Sequence, residues 1–322
     1  MRIGFAGIVH VHAIDYAASL RRLGHEVVGA FDADAVALAA WCARSAVPAS
    51  SLEDLLESAE AMIVTSATNE HLTYAVRIAS AGLPILMEKP LATSLPDAAE
   101  IVRVCAEAGV TLMTALPMRF SAAAIGIREW MAGGAAGDVL CLSGVNQSLY
   151  PAVEADWFAD AERAGGGAVM DHVVHLADLY SWWLDAAPTR VHGTMNSVLY
   201  PDAGVDTACL VTLRYPGGQL AIIDASWSRP QNDVVFGTFA VTITCGAGVV
   251  DVDAMADHVV VVDAETSRTS WIFASDGPAE TMLAEFVAAA LEDREPSVTG
   301  ADGLRASAVA LAARDSWRAP AR

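Results

Sequence analysis

The spacing of apolar residues changes along the chain and divides it in two. In the first third, short continuous apolar runs alternate with segments whose apolar residues recur every three or four positions. Residues 1–7 read as a strand, Ala17, Leu20 and Leu23 mark a helix closed by Gly24, and residues 26–31 form a second strand that runs into Asp32. Helices are expected near 34–43, 52–57 and 71–81, with strands over 61–65 and 83–88. Such alternation implies a parallel sheet with helices on both faces, whose ligands bind beyond the carboxyl ends of the strands. Gly7, Asp32, Ser66 and Glu88 fall at those ends and should line one crevice.

Beyond Val139 the period shortens to two. Phe239, Val241, Ile243 and Cys245 share one face, with Thr238, Ala240, Thr242 and Thr244 on the other. Further strands are expected over 189–198, 207–214, 219–226, 249–252, 259–262 and 270–273, with turns such as Tyr215-Pro216-Gly217-Gly218 making hairpins. Helical periodicity covers 168–184, 279–291 and 303–317. The fold class is therefore α/β followed by α+β: a doubly wound, Rossmann-type parallel sheet over 1–117, then a mostly antiparallel open sheet over 118–300 with helices on one face. Residues 301–322 are expected to return to the first domain as a helix. The uncovered face of the second sheet suits a homodimer or homotetramer.

Composition narrows the function. The 322 residues are 54% hydrophobic and 18% charged, the make-up of a compact globular chain. A net charge of −20 without a basic patch argues against a nucleic-acid partner. Five scattered cysteines without C-x-x-C spacing read as free thiols of a reducing compartment. The N-terminus opens into a strand without signal-peptide features, and no run is apolar enough to span a bilayer; a soluble cytoplasmic protein with no membrane partner is expected.

Lys89 is the single lysine among 19 Lys and Arg residues, at the end of an apolar strand. An amine can exchange its proton when its surroundings lower its pKa, whereas a guanidinium stays charged, so Lys89 is a candidate acid-base group. Asp171 and His175 are four apart on a predicted helix, hence one turn apart on one face. A carboxylate there would orient the imidazole and raise its pKa, while His172 points elsewhere. Asp32, at the tip of the second strand, suits the adenosine ribose hydroxyls of NAD and disfavours the 2′-phosphate of NADP. The first turn, Gly7-Ile8-Val9-His10-Val11-His12-Ala13, keeps only the first glycine of a G-x-G-x-x-G fingerprint; phosphate could still rest on the helix N-terminus beside a histidine. Asp171, His172, His175, His10 and His12 are also possible metal donors, but their spacing is no recognised zinc signature and Lys89 would repel a cation, so no metal is expected.

Glu88-Lys89-Pro90, Thr65-Ser66-Ala67-Thr68-Asn69-Glu70-His71, Arg119-Phe120, Gly137-Asp138-Val139 and the stretch Gly165-Gly166-Gly167 to Asp171, His175 and Asp178 together resemble the Gfo/Idh/MocA family of NAD(P)-dependent oxidoreductases. The departures are the reduced glycine turn and Pro117-Met118, which replaces the polar residues usual before the R-[FY] pair. The resemblance implies that Lys89, Asp171 and His175 meet between the domains, with His175 as general base, Asp171 as its orienter and Lys89 stabilising alkoxide charge. It also implies cofactor contacts from Gly7, Val9, His10, Asp32, Ser66, Asn69, His71, Glu88 and Lys89. Arg119, Trp157 and His172, with Tyr150, are candidates to line a pocket for a sugar, cyclitol or related polyol. Two other readings stay open: a redox-neutral glycosidase or epimerase using held NAD, and a nucleotide-sensing regulator without turnover.

Overall fold

In the computed structural model, residues 1–232, 237–253, 258–263, 268–273 and 277–317 are described. The apolar runs of the first third become five short strands, β1 (Arg2–Ala6), β2 (Glu26–Phe31), β3 (Ala61–Val64), β4 (Ile85–Met87) and β5 (Leu112–Thr114). They pair in parallel in the order β2-β1-β3-β4-β5. The last three are buried along their whole length, as strands covered on both faces must be. The connecting helices are α1 (Ala13–Arg22), α2 (Ala35–Ser45), α3 (Leu52–Ser58), α4 (His71–Ser80) and α5 (Leu95–Ala108). Asp34, Ser51 and Ser94 cap α2, α3 and α5 by accepting from backbone amides of the first turn. Strand order reverses between β1 and β3, so the crevice of this domain opens where Gly7 and Ser66 follow those two strands.

The chain then forms α6 (Ala122–Ala132), β6 (Val139–Leu149), the short α7 (Ala161–Ala164), α8 (Ala168–Leu184), β7 (Arg190–Asn196), β8 (Ala208–Arg214), β9 (Leu220–Arg229), β10 (Gly237–Cys245) and β11 (Gly248–Asp253). The six strands pair in the order β11-β10-β6-β9-β8-β7, antiparallel except for β6 against β9. One face is covered by α8, whose apolar side packs on β6, β8 and β9. Alternate residues on the other face are exposed, among them Leu140, Leu210, Leu220, Ile222 and Val249. The predicted strands near 259–262 and 270–273 do not join this sheet; as β12 (His258–Asp263) and β13 (Arg268–Phe273) they pair only with each other.

Two terminal helices tie the halves together. α9 (Pro278–Glu292) lies on α1 and the turn Pro117–Phe120, and α10 (Gly300–Ser316) contacts α5 and β5 on one side and α8 and β7 on the other. At this seam Arg119 is buried and donates from Nε and Nη2, one edge of its guanidinium, to Asp178 of α8 at 2.7 and 2.5 Å, and Nη2 also donates to Asp302 of α10 at 2.9 Å. The seam also carries a small apolar cluster, Ala67, Ala155, Trp157, Phe158, Ala164, Ala168 and Trp227.

Candidate active site

Three backbone features bring the reactive side chains together. Gly7 has φ +75, and a Cβ there would collide with Ser66, so only glycine lets the β1 and β3 ends approach this closely. The β4 strand ends at Met87 and delivers Glu88 and Lys89 into the crevice. Opposite them, α8 starts at Ala168, where Asp206 from the β7–β8 connection accepts from the amides of Gly167 and Val169 at 2.8 Å each. A Cβ on Gly167 would strike the Asp206 carbonyl oxygen, which explains the last glycine of the 165–167 run. The first turns of α8 therefore face the strand ends.

Lys89 Nζ lies 2.6 Å from Asp171 Oδ1 and 3.1 Å from the Asp171 carbonyl. The second carboxylate oxygen accepts from the indole Nε1 of buried Trp227 at 2.9 Å. Burial alone would raise the Asp171 pKa, but the Lys89 charge, His172 and these hydrogen bonds outweigh it and hold the carboxyl well below its ordinary range. This corrects the expected pairing: Asp171 braces the lysine and not His175. His175 Nδ1 is buried without a hydrogen-bond partner, and burial, reinforced by Lys89, pushes its pKa well below 6.5 and not upward. His172 was expected to point away, yet it turns into the same cleft and its Nε2 meets the Ser148 hydroxyl at 2.9 Å. Because the amino end of α8 abuts the cleft, neighbouring residues on two sides of the helix both reach it.

On the other wall, Glu88 is buried and accepts from His12 Nδ1 at 2.9 Å and from the Lys89 amide at 3.1 Å. Burial would raise it, but His10, His12 and Lys89 draw it well below the usual carboxylate range. His10 is neutral, its pKa lowered to about 3 by burial, and its Nε2 is a buried atom without a partner. His10, His12 and Glu88 bring metal-type donor atoms within 4.8 Å of one another. Glu88 is already engaged by two donors, and the adjoining Lys89 charge opposes a divalent cation there.

Two clefts meet at His10 and Val11. One, of about 250 Å³, is lined by Lys89, Asp171, His172 and His175 together with Met118, Ser148, Tyr150 and Phe239. The other, of about 390 Å³, runs past Ile8, Val9, Asp34, Trp41 and Arg44 at the β1 and β2 ends. Asp32 stands at the β2 tip, where its carboxylate accepts from the amides of Ile8 at 3.0 Å and Asp34 at 2.9 Å. The glycine-tight β1 turn, the carboxylate at β2 and the continuity of the two clefts fit an extended dinucleotide with its nicotinamide end towards Lys89.

Several sequence-named residues take other places. Arg119 does not face the cleft, because its guanidinium is consumed by Asp178 and Asp302. Trp157 is buried behind the first turn, donating from Nε1 to the Val9 carbonyl at 3.1 Å, and lines the second cleft and not the one that holds Lys89 and His175. His71 is buried with Nδ1 3.1 Å from the Leu91 carbonyl, so it braces the segment after Pro90. Ser66 backs Gly7 from beneath, and Asn69 is exposed and lines neither cleft. Conversely, Trp227, Ser148, Asp206 and Phe239 shape the site without a motif to announce them; each is an ordinary strand or loop residue until the sheet places it under α8.

Comparison with known proteins agrees with this architecture. Residues 1–116 match the model of an oxidoreductase family with an NAD-binding Rossmann fold, and residues 125–251 match the GFO/IDH/MocA C-terminal domain. The chain is similar to 1,5-anhydro-D-fructose reductase of Ensifer adhaerens, 28% identical over 91% of this chain and 89% of that protein. It is also similar to myo-inositol 2-dehydrogenase of Thermotoga maritima, 26% identical over 80% and 77% of the two chains. Among solved structures it shares the fold of GenD2 from gentamicin A biosynthesis in complex with NAD, with TM-score 0.84, 20% identity and coverage of 98% and 93%. Levoglucosan dehydrogenase in complex with NADH and levoglucosan gives TM-score 0.82, 16% identity and coverage of 98% and 96%. No helix among the described residues is long and apolar enough to cross a membrane. With both halves matched and the lysine, aspartate and histidine gathered at their junction, the chain belongs to the GFO/IDH/MocA family of NAD(P)-dependent oxidoreductases.

Proposed function

We propose that the protein transfers hydride between NAD(H) and a secondary hydroxyl or carbonyl carbon of a sugar, cyclitol or related small polyol. The observation that carries this reading is the single lysine, ion-paired to Asp171 at 2.6 Å in the cleft that also holds the unpartnered His175. The names of the relatives support it, since they are a reductase of an anhydro sugar and a dehydrogenase of an inositol. The nicotinamide, when bound, supplies the hydride acceptor or donor. In the oxidation direction, neutral His175 takes the proton of the substrate hydroxyl, and the Lys89 ammonium stabilises the oxygen as negative charge develops. Asp171, anchored by Trp227, keeps that ammonium aimed.

Asp32 supports a preference for NAD, since a ribose hydroxyl can donate to its remaining lone pairs and a 2′-phosphate would be repelled. Calorimetric titration with NADH and NADPH, followed by a sugar and polyol panel read by nicotinamide absorbance, tests cofactor and activity together. Tight NADH binding with turnover of at least one polyol is expected; absence of nicotinamide binding would sink the proposal. For assembly, the exposed leucine, isoleucine and valine residues on the open face of the six-stranded sheet support a second copy seated there. A monodisperse monomer in light scattering would count against it.

A further inference from the structure

We infer that the cleft is built for one small ring with few free hydroxyls, a deoxygenated, anhydro or O-alkylated sugar or cyclitol, in preference to a fully hydroxylated one. This rests on the oxidoreductase reading above and specifies its substrate. The volume, about 250 Å³, is small against pockets for drug-sized ligands and suits a single ring. A fully hydroxylated hexose or inositol carries hydroxyls on almost every carbon, and each must exchange its water for a protein partner when buried. Among the described residues much of the lining is carbon, and several of its polar side chains already hold a protein partner.

Asn146 donates to the His172 carbonyl at 3.1 Å, and the Ser148 hydroxyl donates to the Leu149 carbonyl at 2.8 Å while meeting His172 Nε2. The Gln147 amide donates to Asp224 at 3.3 Å and the Gln231 amide to the Tyr150 carbonyl at 3.1 Å. Thr238 accepts from Arg229. Between these groups the wall is carbon: Pro117, Met118, Leu149, Pro151, Phe158 and Phe239. Charge and ring nitrogens are concentrated at one pole, where Lys89, Asp171, His172 and His175 lie together. Tyr150 adds one phenol hydroxyl to the wall, and Glu154 and Gln231 add polar groups at the exposed rim. A ring with one reacting hydroxyl or carbonyl and a masked remainder matches that division.

The test is a ring-matched panel, glucose and myo-inositol against 6-deoxy, 1,5-anhydro and O-methyl derivatives, with kcat/KM measured using NAD(H) and binding to the NADH-loaded protein measured by calorimetry. Removing or capping a hydroxyl away from the reacting carbon should raise kcat/KM by about tenfold, chiefly through KM. Met118→Gln, which puts an amide of similar size into the wall, should shift the ratio several-fold back towards the hydroxylated parents. Parents that bind and turn over as well as their masked derivatives would overturn the inference. If no ring is turned over, the oxidoreductase reading falls, and calorimetry then decides this one separately: tighter binding of masked rings supports it, and equal or weaker binding overturns it.

Discussion

Lys89 Nζ lies 2.6 Å from Asp171 Oδ1, joining the end of a strand in one domain to the first turn of a helix in the other. The pair is nearly buried, so each charge depends on the other for the solvation it has lost. Deleting either partner would leave an uncompensated charge and confuse a catalytic effect with a folding one.

Lys89→Arg separates the two. The positive charge towards Asp171 is kept, while the compact point charge aimed at the developing alkoxide is replaced by a broad planar guanidinium that cannot occupy the same place. The melting temperature should stay within a few degrees of the parent and NADH affinity within a few-fold, while kcat falls by about a hundredfold or more. Near-normal kcat with intact folding would remove the lysine from the chemistry.

For His175, burial and the Lys89 charge set the direction of its pH response. A base works only when deprotonated, and a pKa held well below 6.5 keeps this imidazole neutral through mildly acid solution. The acid limb of kcat/KM for oxidation should therefore lie below the ordinary histidine range, and His175→Gln should lower kcat by about 10²–10⁴ and abolish that limb. A limb near the ordinary histidine pKa, unchanged in the variant, would assign the proton to another group.

Much of this geometry was legible in the sequence. Because burial on two faces or on one leaves a direct mark on side-chain type, continuous apolar runs and period-two runs located most strands of both sheets to within about three residues, though β5 went unnoticed and β6 was left without an end. The lone lysine and the Asp171–His175 spacing singled out three residues that the fold gathers in one cleft. The partners were not legible: whether Asp171 turns to His175 on its own helix or to Lys89 from another part of the chain depends on how distant segments pack, which local pattern does not encode. Arg119 misled for the same reason, since its two carboxylates come from positions 59 and 183 residues away.

Asp32 carries two duties that one substitution can expose. Its carboxylate holds the Ile8 amide at 3.0 Å and thereby the glycine turn, and it is also the proposed partner of the ribose. Asp32→Ala should weaken NADH binding about tenfold or more and narrow the discrimination against NADPH, whereas Asp32→Asn, which can still accept the backbone bonds, should narrow it with a smaller loss for NADH. Titrations by nicotinamide fluorescence would distinguish these; an unchanged NADH-to-NADPH ratio in both variants would place the adenosine ribose elsewhere.

The seam itself makes the last prediction. Burial, the larger effect, raises Asp178 to about 6 even though Arg119 pulls it down, while Asp302 stays below its ordinary value. A carboxyl raised in the folded state stabilises the fold fully below its unfolded pKa and loses that contribution as pH climbs through the folded value. Arg119→Leu strips away the cation and should cost about 3–5 kcal/mol at neutral pH, since a buried carboxylate is left without its partner. It should also push Asp178 further up, so the folded variant keeps its proton to a higher pH than the parent does. The gap in melting temperature between parent and variant should then be smaller at pH 5.5 than at pH 8.0 in thermal scans of the whole chain. A gap that is constant or narrows with rising pH would mean that Asp178 is ionised across the whole range, with Arg305 and solvent supplying the compensation in place of Arg119.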